Sequence, residues 1–266
     1  MRLRGETAFK LFNNCLYSKC YQPAAKHMKR LTLILLVTSI TLSSCKQTPE
    51  QFGEECSIKL SGIHFTKSLN GAVKNTTTEN ERITLRSDAK TDYFNEPDGT
   101  MSYSTAPVLL SKVDNTRPFT LTAKVTPQLV ATYDAGALYI FSTEMLWQKF
   151  AFERDEQGRS RIVTVRTIDT SDDNNHDVVS QESVYMKISS DVKTVGFYYS
   201  TDNMTWNLVR LYKNNYPEII WLGISSQSPI GAGNVTYFES CSLIEENVKD
   251  FRKGMTSRSS VLYQNW

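Results

Sequence analysis

Histidine is scarce, with three in 266 residues, and His27 precedes a segment that reads as a cleaved leader. That scarcity argues against a His-rich metal centre. It leaves His64 and His176 for a Ser-His-Asp arrangement, and no serine sits in a Gly-x-Ser-x-Gly elbow. Cysteine is low too, at five, far from a disulfide scaffold. The most apolar run, Leu31 to Leu42, has twelve residues, too few to span a bilayer comfortably as a helix. Gly231-Ala232-Gly233 leads into a strand-like run, so no phosphate-cradling loop opens a helix. No helical periodicity of convincing length appears, and no internal repeat.

What is present begins with a second start. Met28-Lys29-Arg30 precedes the apolar run, and Leu42-Ser43-Ser44-Cys45 follows it. A charged start, an apolar stretch and a small-residue cut site make a secretory signal. The cut-site cysteine resembles a bacterial lipobox, with Cys45 as the lipidated residue. Lys46 rather than Asp after it favours, by resemblance to Gram-negative lipoproteins, a lipid-anchored place in the outer membrane of the cell envelope. Residues 1–27 then read as a mis-assigned start, 28–44 as the signal peptide, 45–54 as a tether, 55–255 as the folded domain and 256–266 as a tail. Residues 1–30 hold seven Lys and Arg and one Glu, so they carry +6 of the overall +2 and leave the remainder at −4. With no basic stripe, nucleic acid is not an expected partner. Cys56 and Cys241 remain, near the two ends of the domain. They either pair in an oxidising compartment or stand as two buried thiols.

The body of the chain alternates with period two. Phe119, Leu121, Ala123 and Val125 face one way, and Thr120, Thr122 and Lys124 the other. Arg82–Arg86 behaves likewise, and further strands are expected at 137–142, 147–154, 161–168, 184–189, 194–200, 206–212 and 219–225. Asp98-Gly99, Gln157-Gly158, Asp202-Asn203 and Asn214-Asn215 supply turns between strands. A short helix is expected near Glu245–Arg252. Many strands with short turns predict an all-β sandwich of two antiparallel sheets.

Five stretches carry a family likeness: Asn115–Val125 with Thr132–Leu138, Trp147–Glu153, Ile162–Val165 with Ser171–Asn174, Phe197–Asp202 with Trp206, and Gly223–Pro229. In order and spacing they resemble the domain of unknown function labelled "regulation of enolase protein 1-like", of the concanavalin A-like lectin/glucanase superfamily, over about residues 90–245. The resemblance implies a jelly-roll sandwich, no proven activity, and an association with polysaccharide handling. The chain departs at Asn203, where relatives tend to have Gly; Asn tolerates the left-handed turn.

Alternation also nominates a face. With Phe150 and Phe152 inward, Trp147, Lys149 and Glu153 point outward. With Ile220, Leu222 and Ile224 inward, Trp221, Ser225 and Gln227 point outward. Tyr185 and Tyr198 do the same on their strands. If these strands share one sheet, they form an aromatic groove with polar ends, suited to a carbohydrate whose C–H face stacks on rings and whose hydroxyls take hydrogen bonds. The expected function is therefore a membrane-tethered, non-catalytic carbohydrate-binding module. One alternative is a sandwich carbohydrate-active enzyme using Glu153 with a second carboxylate, although Gln157-Gly158 makes Asp155 and Glu156 a hairpin tip. The other is a structural or partner-binding lipoprotein whose aromatics merely pack. Asp172, Asp173 and Asn174 gather oxygens in an expected loop, where an Asx-rich turn is the plainer reading, with calcium or direct ligand contact from the groove rim as the alternatives.

Overall fold

The computed structural model describes residues 52–255. The expected leader, Cys45, most of the tether and the tail from 256 lie outside these residues. Seventeen β-strands and no helix are found among the described residues. The larger sheet has eight strands, in the order β1 (Glu54–Leu60), β2 (Ile63–Leu69), β7 (Val108–Asp114), β16 (Ile219–Gln227), β9 (Ala135–Thr143), β10 (Leu146–Arg154), β11 (Ser160–Ile168) and β12 (Thr170–Val178). The smaller has seven: β15 (Asn207–Lys213), β14 (Thr194–Ser200), β13 (Val184–Ser190), β8 (Phe119–Pro127), β17 (Gly233–Ile244), β4 (Arg82–Asp88) and β3 (Thr76–Glu79). A two-stranded hairpin, β5 (Tyr93–Asn95) and β6 (Ser102–Ser104), stands apart. Neighbouring strands pair antiparallel throughout. The protein is a jelly-roll sandwich.

Period-two alternation explains the main core. Leu138, Ile140, Phe150, Phe152, Ile162, Leu222 and Ile224 of the large sheet meet Leu121, Val125, Met186, Ile188, Val195, Phe197 and Phe238 of the small one. Each such side chain contributes roughly 1.5–3 kcal/mol by leaving water. Cys56 and Cys241 pack on this same core as free thiols. Cys56 donates its S–H to the Phe65 carbonyl at 3.6 Å, so the pairing considered from sequence is not made.

Turns follow their chemistry. Between β10 and β11, Asp155 Oδ1 accepts from the backbone of Gln157 and Arg159, and Gly158 takes φ +77°. Asn203 adopts φ 60° beside Asp202, whose Oδ1 caps Met204 and Thr205. The helix expected at Glu245–Arg252 does not form. That segment runs as turns along the outer face of the small sheet, tied by Tyr198 Oη to Phe251 O at 2.9 Å and by Lys187 Nζ to Gly254 O at 2.9 Å.

Candidate functional site

The outer face of the large sheet is read best in rows across the strands. One row runs Gln227–Ala135–Glu153–Arg161 through β16, β9, β10 and β11. The next runs Ser225–Ala137–Ala151–Val163, and the next Gly223–Tyr139–Lys149–Val165–Asp173. The last runs Trp221–Phe141–Trp147–Thr167. The row of small residues leaves a trough. Across it the Lys149 side chain reaches toward Gln227.

This face is not open at its aromatic end. Trp147 is fully buried and Trp221 nearly so. The β5–β6 hairpin lays Tyr93 edge-on to Trp147, with centroids 5.7 Å apart, and to Tyr139 at 5.9 Å. Phe52 covers Trp221 at 5.4 Å. Trp147 Nε1 donates to the Glu144 carbonyl at 3.1 Å. The two indoles thus form a second core with Tyr139 and Phe141, and the exposed platforms expected from alternation are absent there. The parity was sound, but the hairpin that covers the face lies elsewhere in sequence.

Beyond the hairpin the face opens into a pocket of about 480 Å³. Lys149, Glu153 and Gln227 line it, as do Asp92, Phe94, Glu96, Tyr103, Tyr133 and Asp173. Val163 and Val165 line it from β11, and Pro229 and Ile230 from the loop after β16. Lys149 Nζ donates to Gln227 Oε1 at 2.9 Å, to the Tyr93 carbonyl at 3.0 Å and to Asp92 Oδ1 at 3.2 Å. Gln227 Nε2 donates to the Tyr133 carbonyl at 3.2 Å and to Glu153 Oε2 at 3.5 Å. Burial pushes the Glu153 carboxyl up to about 8, helped by Asp92, Asp173 and Glu156 and opposed by Lys149. Phe94 and Tyr103 are cross-strand partners in the hairpin, both half-buried. Tyr133 is exposed and holds φ 66°, a rare left-handed value for an aromatic residue.

The other expected residues are elsewhere. Ser225 is buried below the trough and donates to Pro107 O at 2.8 Å. Tyr185 and Tyr198 belong to the small sheet, on the other layer of the sandwich, and Tyr198 is sealed under the C-terminal segment. Alternation assigns a face to each strand but not a sheet, so a single groove joining all eight residues does not exist. The stretch with Asp172, Asp173 and Asn174 is the edge strand β12, not a loop. Asp172 pairs with Arg210 at 3.1 Å while Asp173 lines the pocket. Adjacent strand residues point to opposite faces, so the two carboxylates do not converge on one calcium ion. Asp155 is tied to Arg159 at 2.8 Å and Arg161 at 3.0 Å. These bonds outweigh its burial and hold its carboxyl well below the usual range, as befits a turn-forming group.

Sequence reasoning missed Asp92, Phe94, Tyr103, Tyr133, Pro229 and Ile230. The signal for the hairpin was there: Asp98-Gly99 is a turn between Tyr93-Phe94 and Tyr103. Its destination over β10 was not readable.

Residues 69–246 match the family described as "Protein of unknown function (DUF1349)", and the chain belongs to that family. No curated protein matches. Among solved structures, the chain is similar to a functionally unknown protein from Saccharomyces cerevisiae (TM-score 0.62, 22% identity, covering 67% of this chain and 95% of that one). It is also similar to an engineered GH43 glycoside hydrolase that displays endo-xylanase and exo-arabinofuranosidase activity (TM-score 0.53, 15% identity, covering 75% of this chain and 42% of that one). The chain thus spans under half of that enzyme's length. A legume lectin-like domain from Entamoeba histolytica also matches, at TM-score 0.43 and 9% identity over 65% of this chain and 91% of that one. At these identities the first two likenesses concern the fold.

Proposed function

We propose that this member of the family is a carbohydrate-binding module, held at the envelope of a Gram-negative bacterium by a lipid on Cys45. The ligand occupies the pocket between the β5–β6 hairpin and the trough on β9, β10 and β16. One observation carries the reading: three aromatic rings, Phe94, Tyr103 and Tyr133, share a pocket with the hydrogen-bonded chain Lys149–Gln227–Glu153. Rings offer stacking to an apolar sugar face, and the buried polar chain fixes the geometry of the wall that hydroxyls meet. The volume, about 480 Å³, suits a short oligosaccharide segment rather than a macromolecular surface.

A glycan array of plant, host and bacterial polysaccharides tests the reading. Retention of at least one class is expected; retention of none overturns it. The anchor is tested separately: Cys45→Ala should move the protein from the membrane to the soluble fraction.

A second reading has one observation in its favour. Glu153, pushed up to about 8, is protonated at neutral pH, as a general acid for glycoside hydrolysis must be. Asp92 and Asp173, in the same pocket, are the available second carboxylates. Product analysis after incubation with the best-retained glycan separates the two: shortened sugars indicate the hydrolase, and intact sugar the binding module.

A further inference from the structure

The hydrogen-bond inventory of the pocket is lopsided. Lys149 has three ammonium hydrogens and three protein acceptors, on Asp92, Tyr93 and Gln227. The two amide hydrogens of Gln227 go to Tyr133 O and Glu153 Oε2. The N–H donors of Lys149 and Gln227 are therefore spent inside the protein. The oxygens are not. Glu153 is 8% exposed, and among the described residues the 3.5 Å contact from Gln227 is the hydrogen bond its carboxyl receives. Asp173 and Glu96 line the same pocket. The charged lining is Asp92, Glu96, Glu153 and Asp173 against Lys149, already engaged, and Lys90, exposed at the rim.

Apart from the proton on Glu153 itself and the hydroxyls of Tyr103 and Tyr133, such a wall is ready to accept hydrogen bonds and poor at giving them. A uronate would bring a carboxylate to carboxylates, with no buried N–H left to receive it. A ligand that brings its own N–H groups meets the opposite situation. Resting on the carbohydrate reading above, we propose that the preferred ligand is a sugar bearing a protonated amine, a hexosamine without its acetyl group. Its ammonium pairs with the Glu153 carboxylate and its ring lies among Phe94, Tyr103 and Tyr133. The binding step balances simply. Glu153 enters as a neutral acid, its O–H bond breaks, the proton leaves to solvent, and an ammonium–carboxylate pair forms. Aromatic faces near the ammonium add attraction of their own.

Isothermal titration of the full chain at pH 5 tests this, in two buffers of different ionisation enthalpy. At that pH the sugar amines are charged even where neighbouring ammonium groups along the oligomer repel and lower one another's pKa, while Glu153, pushed up to about 8, still holds its proton. The probes are a β-1,4-glucosamine oligomer, the same oligomer N-acetylated, an oligogalacturonate and spermidine. The glucosamine oligomer should bind at least about tenfold more tightly than the other three, and the buffer comparison should show release of close to one proton per site. Glu153→Gln, which keeps shape and removes the titration, should abolish both the preference and the release. Equal or tighter binding of the acetylated oligomer, the galacturonate or spermidine overturns the proposal, as does wild-type binding without proton release. If neutral glycans bind and the amino sugar gains nothing, this inference falls and the carbohydrate reading stands. If no glycan binds at all, both fall.

Discussion

Lys149 and Gln227 meet with Nζ 2.9 Å from Oε1, across the intervening strand β9. The contact is diagonal: Lys149 shares its row with Tyr139, and Gln227 shares its row with Ala135. The lysine crosses the trough left by Ala137 and Ala151. Small residues on two strands thus permit a buried ammonium, and the ammonium orients the amide that reaches Glu153.

Lys149→Met should therefore be costly although its volume is nearly conserved. It strips Asp92, Tyr93 O and Gln227 of their common donor. Removing one member of a buried charged pair typically costs about 3–5 kcal/mol. Asp92 is partly open to water, so a loss near the lower figure is expected in urea unfolding.

Trp147→Ala should behave as a core deletion. A fully buried Trp removed to Ala costs about 3–5 kcal/mol, against within about 0.5 kcal/mol for an ordinary surface position. Thermal unfolding reads the difference. An unchanged Tm would mean that Tyr93 does not cover the indole.

Glu153 gives stability a pH signature. Its folded value is raised from 4.5 to about 8, so the folded state holds a proton that the unfolded state has lost. Stability from this group is fully present below about pH 4.5 and declines as pH rises to about 8. Glu153→Gln should flatten that part of the stability profile, measured by denaturant unfolding at stepped pH.

Cys241 should resist alkylation. Burial pushes its thiol up to about 12, and the thiolate is the reactive form. Mass spectrometry after iodoacetamide treatment should find Cys241 unmodified in the native protein and modified in guanidinium. A native Cys56–Cys241 disulfide, resistant in both conditions until reduction, would contradict the two free thiols.

Strand periodicity made the sandwich legible. The strand expected at 194–200 is β14, and that at 161–168 is β11 less its first residue. Lys149, Glu153 and Gln227 were legible as one-faced residues because parity survives folding. What covers that face was not, because Phe52 and the hairpin reach it through tertiary packing. Strand β12 was illegible for a different reason: Asp and Asn are depleted in strands. Here they sit on a sheet edge, where charge discourages edge-to-edge association. Tyr185 and Tyr198 went astray because alternation cannot tell one sheet from the other.

In the proposed function a glycan stacks on the hairpin's aromatic pair. Phe94 and Tyr103 lie opposite each other in β5 and β6, and each stacked ring is worth on the order of 1 kcal/mol. Titration of the array's best glycan into wild type and into the Phe94→Ala, Tyr103→Ala double variant is the most direct test. Affinity should fall roughly 30-fold while unfolding stays cooperative. Undiminished affinity in a folded double variant would mean that the sugar does not stack on these rings.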